Sequence, residues 1–330
     1  MTRTPLRGHL PTWSELRRHA VDTVAELRPR PAPDPRVAAA LAGITAARVG
    51  RHVEALTAAG PRWRGNAEAV LHSLRYLREE LEGYGYDVRE QRYGEAPHQV
   101  NLSALLPGRD STAPLVEAGA HWDSVEGSPG ADDNASGVAG VLEIARALWE
   151  APRPRRGIRF CLFGEEEEWM TGSTEHVARV DAAGAAVEGV IVLEMIGYRD
   201  PLPGSQRTPL RVPGVFSPPR TGDFVAVIAD LRSLRFVSAM QRGSRHYVPG
   251  LRIYPVKRIG WLLRDAARSD HLPYWRSGRQ GVLVTDTANL RNPHYHKATD
   301  TLATLDLAFA ADVSRAVAGA LAELAGRSGE

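Results

Sequence analysis

The chain changes periodicity at about residue 85. Before it, apolar positions recur every three or four residues: Trp13, Leu16, Ala20, Val24 and Leu27, then a run over 36–58, then Val70, Leu71, Leu74, Leu77 and Leu81. That spacing draws one apolar stripe along each of three helices. Prolines between Pro29 and Pro35 separate the first from the second, and Gly83 and Gly85 close the third. Beyond Gly85, short β-rich runs alternate with helical stretches. The pattern predicts strands over 87–91, 101–106, 115–120, 158–163, 189–194, 224–228, 252–255 and 281–286. It predicts helices over 135–149, 173–180, 231–242, 270–277 and 306–325. Such alternation predicts an α/β fold in one large domain: a twisted, mixed, largely parallel sheet with helices on both faces. Residues 1–35 read as a helical extension with a proline-rich linker, and 36–330 as the main domain. The stretch 199–223 carries six prolines (Pro201, Pro203, Pro209, Pro213, Pro218 and Pro219). It lies directly behind Glu194, and a long irregular segment there predicts the rim of a site.

Composition narrows the function. With 43% hydrophobic and 24% charged residues, the 330-residue chain has the balance of a folded globular protein. Its 41 basic residues against 39 acidic ones give a net charge of +2, and of the basic ones only Lys257 and Lys297 are lysine. Arginines scattered along the whole chain are not the clustered footprint of a nucleic-acid binder, so no nucleic-acid partner is expected. No run approaches the 18 apolar residues of a membrane span, and the first 20 residues lack a signal-peptide core. A cytoplasmic location, away from membranes, is the expectation. The single cysteine, Cys161, excludes a disulfide framework and a cysteine-based zinc finger. Inside the 158–163 run it reads as a small buried hydrophobe.

Unusual polar residues gather in five segments. Three come directly after predicted strands: His121-Trp122-Asp123, Glu165-Glu166-Glu167-Glu168, and Glu194-Met195-Ile196-Gly197-Tyr198. In α/β sheets, ligands bind at these carboxyl ends. The fourth, Gly130-Ala131-Asp132-Asp133-Asn134-Ala135-Ser136-Gly137, opens a helix, and the fifth is Asn292-Pro293-His294-Tyr295-His296-Lys297. Taken singly, each has a plain reading: a satisfied core histidine, a helix cap, a solvated charge run, a turn. Together they form a set of imidazoles and carboxylates without thiolates, which suits Zn²⁺ or Mn²⁺. Neither lysine follows a glycine, Gly83-Tyr84-Gly85 precedes a strand, and no Gly-x-Ser-x-Gly occurs. These absences remove the P-loop, the dinucleotide fingerprint and the serine-hydrolase elbow.

In this order the segments, with Ser269-Asp270-His271 and His296-x-x-x-Asp300-Thr301, resemble the co-catalytic zinc peptidases of bacterial leucyl aminopeptidases and glutaminyl cyclases, peptidase family M28. The resemblance runs from about Val53 to the C-terminus. It implies a metal-dependent exopeptidase, an aminopeptidase first, acting on a peptide or small aminoacyl substrate. Two zinc ions are implied, with Mn²⁺ or Co²⁺ as substitutes. A cyclase with a single zinc, or a binding member of the same fold without catalysis, is the alternative. His121 and Glu194 match the ligands of one zinc, and Asp133 the bridging carboxylate. His296 matches the imidazole of the second zinc, with His294 as the competing choice. Asp123 matches the catalytic partner of His121. Alignment on Gly172-Ser173 makes Glu166 the general base and Glu167 a ligand, and a slip of one residue is the alternative within 165–168. Trp122, and Trp169-Met170 in place of a glycine-leucine pair, depart from the pattern at places that bear on pocket shape.

Overall fold

A computed structural model describes residues 33–208, 211, 217–257 and 267–326. The predicted helix through Trp13 and Leu27, and with it the extension before residue 33, lies outside the described residues. The apolar run over 36–58 forms two helices instead of one, α1 (Pro35–Ala42) and α2 (Ala46–Thr57). The Gly43 N–H closes α1 on Ala40 O, and the Thr45 side chain accepts from Arg48 N to start α2. A stripe period does not register such a stop and restart, because both helices present the same face. Asn66 caps α3 (Ala67–Gly83) by accepting from Ala69 N.

The α/β part keeps the predicted order. It comprises β1 (Val88–Arg92), β2 (Val100–Leu106), β3 (Leu115–His121), α4 (Gly137–Glu150), β4 (Ile158–Phe163), α5 (Thr171–Ala182) and β5 (Val187–Glu194). A ribbon of β6 (Asp200–Pro203) and β7 (Thr221–Gly222) comes next, inside the proline-rich stretch where no strand was expected. Then come β8 (Phe224–Ala229), α6 (Leu234–Tyr247), β9 (Arg252–Val256), α7 (His271–Arg276), β10 (Gln280–Thr285) and α8 (Leu307–Leu324). One eight-stranded sheet runs in the order β1-β2-β4-β3-β5-β10-β8-β9. Its centre, β4-β3-β5-β10, is parallel, and antiparallel pairing enters at β1–β2, β2–β4 and β10–β8.

Alternation along β5 divides the core between the two faces. Ile191 and Leu193 join the larger cluster with α4, α6 and α8, while Val190 and Val192 pack with Val177 and Val180 of α5 and Tyr274 of α7. Helices α6 and α8 touch backbone to backbone: a Cβ on Gly243 would sit 2.3 Å from Ala316 O. Because β3, β4 and β5 are parallel neighbours, their C-terminal ends lie side by side, which gathers three of the polar segments at one edge of the sheet. Cys161 is buried in β4, as expected of a small hydrophobe.

Candidate metal centre

The pleat sorts the side chains at the end of β3. His121 turns to the site, and Trp122 points the opposite way into the core, its indole N–H donating to Val100 O at 3.2 Å. Trp122 therefore does not shape the pocket, contrary to the expectation from its place in the motif. Asp123 returns to the side of His121: its Oδ1 lies 3.4 Å from His121 Nδ1. Its two oxygens also accept the backbone N–H groups of Glu166 and Glu167, at 3.2 Å each. One carboxylate thus lies against an imidazole and holds the glutamate loop.

The segment Ala131–Ser136 winds loosely ahead of α4, with Asp133 and Asn134 outside helical dihedrals and a cis peptide between them. Every polar neighbour pins it. Asp300 accepts the N–H groups of Asp132 and Asp133 at 2.9 and 3.1 Å. Asn134 accepts from Gly137 N and Met195 N and donates to Leu193 O, which ties the segment to the end of β5. Asp132 accepts from Gly197 N and from Asn292 Nδ2. Asp132 and Asn134, which alone would cap a helix, here aim Asp133.

Asp133 faces two imidazoles at once: its Oδ1 is 3.4 Å from His121 Nε2, and its Oδ2 is 3.1 Å from His296 Nε2. Glu194 Oε2 lies 3.2 Å from His121 Nε2, and Glu167 Oε2 lies 3.3 Å from His296 Nε2. Two donor triplets result, His121–Asp133–Glu194 and Asp133–Glu167–His296. Donor atoms around a tetrahedral zinc with bonds of about 2.0–2.1 Å stand about 3.3 Å apart, so these separations fit one cation in each triplet. The second Glu167 oxygen, Oε1, is buried without a hydrogen-bond partner, as a carboxylate shaped for a cation would leave it. The donors are nitrogen and oxygen only, the set expected for zinc. A third cluster, Glu117, Cys161 and His176, lies in the core, but the Arg159 guanidinium (2.8 Å) and the Tyr274 hydroxyl already hold its carboxylate.

The electrostatics describe a surplus of negative charge. Burial raises Glu166 well above the usual carboxylate range, with Glu194 and Glu167 adding to it and His121 opposing. Burial and the neighbouring Asp133 raise Glu167 to about 7. Burial works against both imidazolium ions, yet Glu194 and Glu166 hold His121 well above its ordinary value, and hydrogen bonds to Asp133 and Glu167 lift His296 to about 10. Burial also works against ionised Asp133, but its bonds to both imidazoles hold it well below the usual range. A nest that retains protons this strongly is one that divalent cations would neutralise.

Arg62, in the loop between α2 and α3, was not singled out by its sequence. It is fully buried, and its guanidinium donates to Trp122 O at 2.7 Å, Pro129 O at 2.6 Å and Gly130 O at 2.8 Å. It clasps the loops on which His121 and Asp133 ride and sets a positive charge behind the carboxylates, though burial lowers its own pKa to about 10. Replacement by methionine orphans three carbonyls, so Arg62→Met is expected to lower unfolding free energy by about 3 kcal/mol in urea titrations of metal-free protein. An unchanged midpoint would show that water replaces the clasp.

The structure brings together every residue expected at the site: His121, Asp123, Asp133, Glu166, Glu167, Glu194 and His296. It also separates the competing choices. Glu165 faces His98 Nε2 at 3.2 Å, Glu168 pairs with Arg64 at the surface, and Glu166 and Glu167 line the cavity. His294 Nδ1 bonds Thr299 Oγ1 at 2.9 Å, away from Asp133. Ser269, part of a motif without an assigned role, donates from Oγ to Glu194 Oε2 at 2.7 Å. The site opens into a cavity of about 830 Å³ whose walls include Gln206, Arg207, Thr208 and Pro218, so described parts of the proline-rich stretch do form a rim.

This is an α/β fold with a paired imidazole–carboxylate centre at its parallel strand ends. Residues 101–215 match the model of "Peptidase family M28". The protein YfbL of Escherichia coli K12 is 35% identical over 256 residues, 73% of this chain and 76% of that protein. Leucine aminopeptidase 1 of Arthroderma otae is 27% identical over 257 residues, and this chain spans 62% of its length. Among solved structures, the LapA aminopeptidase of Legionella pneumophila superposes with a TM-score of 0.72 at 21% identity, over 91% of this chain and 78% of that one. Glutaminyl cyclase of Porphyromonas gingivalis shares the fold at a TM-score of 0.63 and 20% identity, over 85% of this chain and 98% of its own. The chain belongs to peptidase family M28.

Proposed function

We propose that the chain is a two-zinc aminopeptidase that removes residues from the N-terminus of peptides. The observation that carries this reading is the pair of donor triplets sharing Asp133. His121, Glu194 and Asp133 would hold one cation, and His296, Glu167 and Asp133 a second. Such a pair of cations would supply Lewis acidity toward the scissile carbonyl and would lower the pKa of a nearby water. Glu166 takes a proton from the attacking water on its carboxylate and passes it to the leaving amine nitrogen. Its raised proton affinity suits a group that must both accept and release that proton. Asp123 orients His121 through Nδ1 and fixes the backbone of Glu166 and Glu167, so that base and ligand keep one spacing.

The relatives and fold neighbours that bear the name aminopeptidase support this reading. A cyclase with a single zinc would leave one triplet without a purpose. Unblocked peptides are expected to lose their N-terminal residue at least about 100-fold faster than N-acetylated ones, because a site that binds the free amine rejects its blocked form. A chelator should abolish the release and zinc restore it. Equal cleavage of acetylated peptides, or cyclisation of N-terminal glutamine without release of amino acids, would replace this reading.

A further inference from the structure

Trp169 comes three residues after Glu166 and lines the cleft, yet it is 87% exposed. Its φ is +68° and that of Met170 is +59°, backbone that glycine adopts freely and a residue with a Cβ resists. Hydrogen bonds hold the loop in this form: Met170 N donates to Glu166 O at 2.8 Å and Thr171 N to Glu165 O at 3.0 Å. An uncovered indole on such backbone adds little to the core. Strain retained beside a site is accounted for by what the side chain does there.

The surroundings give the ligand chemistry. Met170 and Leu272 pack together with Trp275, and Ile228 lies against them. Met170, Leu272 and Ile228 line the same cavity as Trp169, so part of the wall it shares is apolar. The base gives the direction. Glu166 must deliver its proton to the leaving amine, so the loop that carries it borders the residue being released from the bond. Resting on the aminopeptidase reading, we propose that Trp169 is a specificity-determining residue whose indole stacks on an apolar side chain immediately after the scissile bond.

The test compares Leu-Phe with Leu-Gly on the zinc-loaded enzyme. Wild type is expected to favour Leu-Phe about tenfold in kcat/KM, mostly through KM, the scale of one aromatic stacking contact. Trp169→Gly should reduce that preference to less than about twofold, and Trp169→Phe should keep most of it. Thermal melting of Trp169→Gly should be no lower than wild type, since glycine relieves the backbone. A preference that survives the glycine substitution overturns the proposal, as does a lowered melting temperature with the preference intact, which marks a packing residue. Leucine released from both peptides without preference in wild type overturns it while leaving the aminopeptidase reading in place. Failure to release leucine from either peptide sinks that reading and this inference with it.

Discussion

Glu166→Gln is expected to lower kcat by about three orders of magnitude, within the range for removing a general base, while zinc content stays at the wild-type value. Glutamine keeps the size of the side chain and its ability to hydrogen-bond, but its amide cannot carry the proton from water to the leaving amine. Neither donor triplet includes Glu166, so binding of the cations should be untouched. KM should change little, since the loss falls on the transition state. The control lies one residue away. Glu165 faces His98 rather than the cavity, so Glu165→Gln should cost less than about tenfold, in line with a residue that touches no reacting atom. Steady-state kinetics beside metal analysis decide the matter: loss of activity in Glu165→Gln with survival in Glu166→Gln would move the base by one position.

That four consecutive glutamates resolve into distinct roles shows where sequence reasoning reaches and where it stops. The strands were legible because β4 and β5 are apolar runs of strand length, and the glutamate run and Glu194 because they sit at the ends of those runs. The choice among Glu165, Glu166, Glu167 and Glu168 was not fixed by local pattern, because the loop turns sharply: Glu165 has a φ of +54° and Asp123 anchors the next two N–H groups. Partners remote in sequence leave no local trace. Arg62 acts on backbone groups 60 or more residues away, so an arginine in a loop looked ordinary, and Asp300 was legible as part of a motif but not as the clamp on backbone groups more than 160 residues away. Asn134 was legible only as a cap. Its bonds to Leu193 and Met195, across the top of the sheet, exist only once β3 and β5 are neighbours. The β6–β7 ribbon escaped for a related reason, since prolines within and around it hide the strand pattern.

Asp133→Asn is expected to do more damage than loss of any other single ligand, because it alone belongs to both triplets. An asparagine offers one carbonyl oxygen and an amide nitrogen that does not ligate, so at least one triplet is left with two donors. The side chain has little room to compensate, since Asp300 clamps the backbone on both sides of residue 132 and Asn134 ties the next residue to β5. Removing the charge also strips both imidazoles of the partner they share. Activity should fall by at least about 10³-fold, the scale of losing several kcal/mol of stabilisation at the reacting carbonyl. A ligand that binds only the folded state raises its stability, so zinc should raise the melting temperature of wild type. The same addition should move Asp133→Asn much less, whereas Glu194→Gln, which leaves the His296 triplet whole, should keep part of the shift. Metal analysis on the same samples separates weak binding from misfolding. Full zinc content and a full thermal shift in Asp133→Asn would mean that the two triplets do not depend on a common carboxylate, and the shared centre would have to be abandoned.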